Sequence, residues 1–488
     1  MDQAVFMRGD TWGFDGQAVE HIETHAAHVF LVGDRAFKMK KAVKLPYLDF
    51  STIEKRRAVL EYELEINRAF APSIYLRTDK ISGEPVLVMN RFKQQALLSL
   101  QSGGITDATA GALARMVAES HVMAPRRETP GSEIMAGLSA QLSKAFADSP
   151  DIFPADESGK FQALHEGHLA KLRPLLDQRS AQGLVRRCHG DMHCGNIVLL
   201  EGKPTLFDAI EFSEKIATID VLYDLAFLLM DLGRRGEKRV ANLVFNRYLH
   251  LRRAEEDLSG LAALPLFLAT RAGVRALVAA DLAHELDADA SADKRREALE
   301  YFQASLAWLN PDPPRLVCVG GLSGSGKSTL AARLAHDIGL APGALHVRSD
   351  VERKVLAGVH ETVHLPPESY SAAASAATYK TIFQRAGAAL KAGHSVVLDA
   401  VFARADEREA AQELAKSLSV RFTGLWLAAP SDILKSRVTV RRGDASDADA
   451  AVVEKQLGYQ SGEILWKKVD ASGSVAASET LVRQILQL

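Results

Sequence analysis

Asp191 stands five residues before Asn196, and Asp208 follows Asn196 by twelve. That set suits transfer of a phosphoryl group to a hydroxyl. One carboxylate can take the acceptor's proton, and an amide oxygen with a second carboxylate can hold a divalent cation. Residues 197–200 and 205–207 are strand-like and flank Glu201-Gly202-Lys203-Pro204, so a hairpin is expected to return Asp208 toward Asn196. About 130 residues beyond Asp191 comes Gly321-Leu322-Ser323-Gly324-Ser325-Gly326-Lys327-Ser328, which fits Gly-x-x-x-x-Gly-Lys-[Ser/Thr]. It follows an apolar strand pattern at 315–319 and precedes a helix. Backbone N–H groups of Gly321, Ser323, Gly324, Ser325 and Gly326 would curl around a β-phosphate. Lys327 would reach the β and γ oxygens, and Ser328 would take Mg²⁺, with Thr329 beside it in the nucleotide-binding set.

Elements must bring these groups together. Residues 28–32 and 35–40 read as a hairpin around Gly33-Asp34. Residues 51–70 read as a helix with Ser51 and Glu54 as a capping box, ended by Ala71-Pro72. Residues 85–89 give a further strand. From 106 to 179 the pattern is helical, with breaks near 125–130 and 149–154, and a second mainly helical run covers 220–308. Asn310-Pro311-Asp312-Pro313-Pro314 is a linker, because its prolines cannot continue a helix. Beyond it, strands at 345–347, 395–398 and 423–427 alternate with helices in the rhythm of a parallel sheet. The strand at 396–398 ends in Asp399, an acid placed to orient Mg²⁺ through water.

The segment from His189 to Asp208 resembles the aminoglycoside phosphotransferase-like family, whose hallmark is His-Gly-Asp-x-His-x-x-Asn. His189, Gly190, Asp191, His193 and Asn196 carry it here. The resemblance implies Asp191 as catalytic base and Asn196 and Asp208 as Mg²⁺ ligands. It covers roughly residues 15 to 305, with Asp220 and Asp224 similar to a downstream structural segment of that fold. Such a fold needs a strand lysine on the phosphates, oriented by a helix glutamate. Lys38 and Lys40 share one strand face, so periodicity alone does not choose between them. Phe37-Lys38-Met39 resembles the family's strand, which favours Lys38. Glu61, Glu63 and Glu65 are its candidate partners, with Glu63 preferred. Two features depart from protein kinases: 23–28 replaces a Gly-x-Gly-x-x-Gly loop, and Ala209 rather than glycine follows Asp208.

The second segment, 315 to 485, resembles small-molecule P-loop kinases of the gluconate kinase-like, polynucleotide kinase-like and zeta-toxin-like kinds, often grouped with AAA family ATPases. The resemblance implies that Asp350 activates the acceptor hydroxyl and that Arg353 grips the acceptor. Arg437 and Arg441, four apart on one helix face, look like the mobile lid whose arginines neutralise the transferring phosphoryl group.

The expected fold is α/β and α+β. An N-terminal bilobal kinase-like domain (1–309), with a small sheet lobe and a helical lobe, is joined by the linker 310–314 to a C-terminal P-loop domain (315–488) with a parallel sheet flanked by helices. The expected activity is ATP- or GTP-dependent, Mg²⁺-dependent transfer of the γ-phosphate to hydroxyl acceptors at two sites. The alternatives are a single working kinase with a nucleotide-binding regulator, or a nucleotide-gated interaction module. The helices at 225–305 are read as apolar and acceptor-facing, and the expected acceptor is a sugar, polyol or nucleoside rather than a polycationic aminoglycoside. A net charge of −2 over 488 residues gives no electrostatic case for nucleic acid or a membrane surface. The apolar stretch 261–286 contains Arg271 and Arg275 and reads as a buried helix. No secretory signal is visible, and three cysteines form neither a disulfide framework nor a metal-ligand spacing. A cytoplasmic protein is expected; oligomeric state is not encoded in these patterns.

Overall fold

The computed structural model describes residues 3–24, 26–45, 48–101, 104–440 and 443–488. The chain forms two compact units, Met1–Gln141 with Leu169–Leu232, and Leu142–His168 with Gly233–Leu488.

In the first unit, β1 (Glu20–Glu23), β2 (Ala27–Val32), β3 (Arg35–Lys40), β4 (Tyr75–Ile81) and β5 (Glu84–Asn90) form an antiparallel sheet in the order β1-β2-β3-β5-β4. Strand alternation sends Leu31, Ala36, Leu87 and Met89 into a cluster with Leu60 of helix α1 (Ile53–Phe70). Phe30, Phe37, Met39 and Val88 pack on the other face with Phe6 and Trp12. Lys38 and Lys40 have the parity of Ala36 and so lie on the α1 side. The capping box at Ser51 and Glu54 does not form: Thr52 is the N-cap, accepting from the Lys55 N–H, while Ser51 donates to Asp49 at 2.5 Å. The local Asp49 carboxylate outcompetes the helix end for Ser51.

Helices α2 (Asp107–Met123), α3 (Gly131–Asp148) and α4 (Ala155–Ala181) break where Pro125, Pro130 and Pro154 stand. Strand β6 (Val185–Arg187) leads into the Asp191 loop. The expected hairpin is β7 (Ile197–Leu200) with β8 (Lys203–Leu206), paired from Lys203↔Leu200 to Leu206↔Ile197. Strand β9 (Thr218–Asp220) pairs with β6 and runs into α5 (Val221–Arg234). The buried Arg179 guanidinium grips Asp220 through two hydrogen bonds of 2.7 and 2.8 Å, tying the end of α4 to this corner.

In the second unit, α6 (Lys238–Arg252), α7 (Leu264–Glu285) and α8 (Ala288–Trp308) precede β10 (Arg315–Gly321). There follow α9 (Lys327–Leu334), β11 (Leu345–Arg348), α10 (Ser349–Leu356), α11 (Ala372–Lys391), β12 (Val396–Asp399), β13 (Arg421–Ala428), α12 (Ser431–Val440), β14 (Lys467–Asp470) and α13 (Val475–Leu486). The five strands are all parallel, in the order β11-β12-β10-β13-β14. Val317, Val319, Val397, Leu425 and Leu427 are buried in one cluster with Leu330 and Leu334 of α9, the pattern of a sheet covered by helices. Strand β11 is an edge, and α6 covers it. Asn246 accepts from the His346 N–H at 2.7 Å and donates, with Asn242, to the Ala344 carbonyl. Arg253 adds a two-pronged ion pair to Glu352 of α10, at 2.9 and 2.6 Å. The helical segment Glu255–Glu285, which contains α7, is long and apolar enough to cross a membrane, but 67% of its most apolar window is buried.

Candidate functional sites

The first site is a loop held from below by one helix. Asp224 of α5 accepts the backbone N–H of Gly190 at 3.0 Å and of His189 at 3.3 Å. Two turns on, Asp231 accepts the N–H of Cys194 at 2.8 Å. Three backbone donors that a tight loop leaves without strand partners are thus satisfied by two carboxylates on one helix face. Gly190 has φ +85°, a conformation that favours glycine. His189 is buried, and burial, only partly offset by Asp224 and Asp191, lowers its pKa. Its Nε2 lies 3.0 Å from the Phe207 carbonyl, joining the loop to the end of the hairpin. Asn196 donates to Asp191 Oδ2 at 2.8 Å and to the Asp191 carbonyl at 3.0 Å. His193 Nε2 lies 3.4 Å from the same carboxylate.

Asp208 arrives beyond the hairpin with φ +60°. Its N–H donates to the Tyr75 hydroxyl at 2.9 Å, and the Ala209 N–H donates to Asn67 Oδ1 at 2.8 Å. The left-handed residue is Asp208 itself, so the following position has no need of glycine. Asp208 Oδ1 lies 2.7 Å from Lys38 Nζ, and Lys38 also lies 2.7 Å from Glu63 Oε1. Lys40 pairs with the other oxygen of Glu63 at 2.7 Å and with Glu211 at 2.5 Å. Both lysines therefore share Glu63, but only Lys38 meets Asp208. Glu61 and Glu65 are exposed.

Three carboxylates and two ammoniums make this cluster self-consistent. Burial works against the Lys38 charge, yet Asp208, Glu63 and Glu211 together hold its pKa well above the ordinary lysine value. Burial likewise opposes ionisation of Glu63 and Asp208, but Lys38 and Lys40 keep both below the usual carboxylate range. Glu211 goes the other way: burial and the Glu63 charge raise it. Asp208 keeps 43% of its side chain accessible, leaving an ionised carboxylate able to meet a cation.

The second site is the glycine-rich turn after β10. Gly321 (φ +140°) and Gly324 (φ +83°) are obligatory. A Cβ would lie 2.5 Å from the Leu427 carbonyl oxygen at the first and 2.3 Å from that of Leu434 at the second. Gly326 (φ +84°) caps α9, whose first residues are Lys327, Ser328 and Thr329. The Ser323 N–H donates to Gln456 at 2.8 Å, and the buried Ser325 hydroxyl has no hydrogen-bond partner among the described residues. A cavity of about 250 Å³ is lined by residues 324–330 together with Arg437 and Asp444. Arg437 donates to the carbonyls of Ala471 (2.7 Å) and Gly473 (2.9 Å), bracing its wall. Arg441 lies outside the described residues.

Asp399 ends β12 in register with Val319 of β10. It is buried, with His346 at 3.6 Å and Arg348 at 3.5 Å. Burial raises its pKa, but the His346 contact, Arg348 and Lys327 outweigh that and hold it at about 2. Among the described residues its Oδ2 has no hydrogen-bond partner. Asp350 is half-buried in the first turn of α10. Arg353 on the same helix donates to the Ser369 carbonyl at 2.7 Å and lies over the Tyr370 ring at 4.8 Å. Neither residue lines the cavity at the glycine-rich turn.

Sequence reasoning missed four supporting groups: Asn67, Glu211, Tyr75 and Asp231. Signals existed for two. Asn67 stands one turn after Glu63, and Asp231 two turns after Asp224, so each shares a helix face with a residue already singled out.

Residues 54–264 match the family model described as the phosphotransferase enzyme family, and residues 316–461 match one described as an AAA domain. Uncharacterized proteins of Mycobacterium tuberculosis (strain ATCC 25618 / H37Rv) and of Mycobacterium bovis (strain ATCC BAA-935 / AF2122/97) are each 29% identical over 469 residues, 92% of this chain and 92% of theirs. Among solved structures, a GDP complex of aminoglycoside 2'-phosphotransferase-IIIa is 17% identical, covering 59% of this chain and 93% of its own, with a TM-score of 0.41. A sugar kinase from Janibacter sp. HTCC2649 is 20% identical, covering 36% of this chain and 95% of its own, with a TM-score of 0.28. The chain thus matches the phosphotransferase enzyme family model over residues 54–264 and the AAA domain model over residues 316–461.

Proposed function

We propose that this protein is a bifunctional phosphotransferase that moves the γ-phosphate of ATP or GTP to small hydroxyl acceptors at two separate sites, in a kinase domain at 1–309 and a P-loop domain at 315–488 joined by residues 310–314. The observation that carries this reading is the junction of Lys38, Glu63 and Asp208. Residues 170 positions apart in sequence meet at 2.7 Å, beside a loop whose Asp191 accepts a hydrogen bond from Asn196. In the first domain, Asp191 takes the acceptor's proton and Lys38, oriented by Glu63, holds phosphate oxygens. In the second, Asp350 takes the proton, Arg353 steadies the acceptor, and Lys327, residues 321–329, Arg437 and Arg441 hold the phosphates.

The donor sets fit Mg²⁺. Asn196 with Asp208, and Ser328 with Asp399, offer hard oxygens, and the buried Asp399 Oδ2 without a hydrogen-bond partner is an acceptor awaiting a cation-bound water. Bound there, the ion supplies charge neutralisation at the phosphates. The acceptor is a sugar, polyol or nucleoside, and a cytoplasmic setting matches the nucleotide supply. The test is γ-labelled nucleotide with an acceptor panel, run on the wild type, Asp191→Ala and Lys327→Ala. Two products, each lost in one variant, support the proposal. Loss of every product in one variant alone replaces it with a single kinase whose other domain regulates.

A further inference from the structure

We propose that His21, Glu23 and His28 form a zinc site on the β1–β2 hairpin, on the sheet face opposite the Lys38 junction. β1 and β2 pair antiparallel, with Glu23 opposite His28 and His21 opposite Phe30. Alternation along the strands puts these four side chains on one face. Across the next pairing, His28 faces Met39 and Phe30 faces Phe37. Met39 and Phe37 lie on the sheet face opposite Lys38 and Lys40. The cluster is therefore separated from the Lys38 junction by the sheet itself.

The donor geometry suits one small cation. His21 Nε2 and His28 Nδ1 are 3.1 Å apart, and the three side chains each offer a ligand atom within 4.8 Å of the others. Two nitrogens on one tetrahedral zinc, each at about 2.0–2.1 Å, stand about 3.4 Å apart. The imidazoles need to separate by only a few tenths of an ångström. Two imidazoles and a carboxylate are a zinc donor set that leaves one coordination position open. The His21 ring is already fixed, stacked on the buried Phe30 with centroids 4.8 Å apart and planes at 15°. Lys41 holds Glu23 Oε1 at 2.6 Å, leaving the second carboxylate oxygen for a cation while opposing that cation by its charge. Zinc here would bind the edge strand β1 to β2 across their turn. The other candidate cluster among the described residues, His121, Cys188 and Asp224, is wholly buried, and its carboxylate already holds the backbone of the Asp191 loop.

The test uses the full-length, tag-free protein and zinc chloride in competition with a chromophoric chelator. Zinc equivalents and affinity are compared among the wild type, His21→Ala, His28→Ala and Lys41→Ala, with circular dichroism as the check on folding. The expected result is one zinc equivalent that weakens by about 10-fold or more in each histidine variant, since loss of a ligand costs at least what loss of a supporting group does. Lys41→Ala keeps that equivalent and binds it more tightly. Cobalt(II) in place of zinc gives the visible bands of a tetrahedral site in the wild type and loses them in His28→Ala. Equal zinc stoichiometry and affinity in the wild type and both histidine variants overturns the proposal, as does weaker binding by Lys41→Ala.

Discussion

Replacing Glu63 with glutamine separates the proposed role of this residue from that of its neighbours on α1. Glu63 is 0% exposed and meets two ammoniums, Lys38 and Lys40, at 2.7 Å each. Removing one member of a buried ion pair costs about 3–5 kcal/mol when its partner is stranded. Here neither lysine is wholly stranded, because Lys38 keeps Asp208 and Lys40 keeps Glu211. The lower end, about 3 kcal/mol, is therefore expected for the unit containing α1. Glu61→Gln and Glu65→Gln lie on the exposed face and should stay within about 0.5 kcal/mol of the wild type. Urea unfolding followed by tryptophan fluorescence reads the difference, because Trp12 packs at 4.5 Å against Phe37 of β3, the strand that carries Lys38 and Lys40. Activity should fall with stability, since Lys38 then answers to Asp208 alone. Glu63→Gln as stable as the wild type, or as mild as Glu61→Gln, refutes the reasoning that this cluster organises the site.

Gly324→Ala should cost about 1–2 kcal/mol from its left-handed φ alone. A further penalty comes from the 2.3 Å approach to the Leu434 carbonyl, so equilibrium binding of a fluorescent nucleotide should weaken by at least about tenfold. Asp224→Asn should lower kcat at the first site while leaving the nucleotide KM nearly unchanged, because it loosens the loop bearing Asp191 and touches no phosphate ligand. Burial holds the pKa of His394 at about 4, against 6.5 in the unfolded chain. The unfolded state therefore binds the extra proton between those values, so stability is full above about 6.5 and falls as the pH drops toward 4. Urea midpoints at pH 7 and 4.5 should draw together in His394→Gln. Unchanged acid sensitivity in that variant contradicts the assignment.

The parts of the site that follow from local spacing were legible from sequence. A Gly-x-x-x-x-Gly-Lys-Ser turn between an apolar strand and a helix is one contiguous piece of chain. So is the hairpin that returns Asp208 toward the Asp191 loop. Strand parity put Lys38 and Lys40 on one face, and the structure brings both to Glu63. Their separation depends on Asp208 and Glu211, about 170 residues away in sequence, and no local pattern encodes that meeting. Tyr75 was invisible for the same reason, because its partner is the backbone N–H at 208; Asn67 shares a helix face with Glu63, but its own partner, the N–H at 209, is equally remote. The absence of glycine after Asp208 signals no defect once the left-handed residue is seen to be Asp208 itself. The resemblance that implies an acceptor role for Arg353 carries no information on its contacts with the Ser369 carbonyl and the Tyr370 ring, which come from the chain beyond its own helix. The short strands β1 and β14 lacked strong alternation and gain their identity from neighbours already in the sheet.

The central claim is two independent phosphotransferase sites on one chain. Its most direct test is γ-labelled ATP turnover by the wild type, Asp191→Ala and Lys327→Ala against sugars, polyols, nucleosides and aminoglycosides. Two labelled products, one lost in Asp191→Ala and the other in Lys327→Ala, are predicted. Acceptor-independent phosphate release that only Lys327→Ala abolishes, with no labelled acceptor from either domain, would contradict the account.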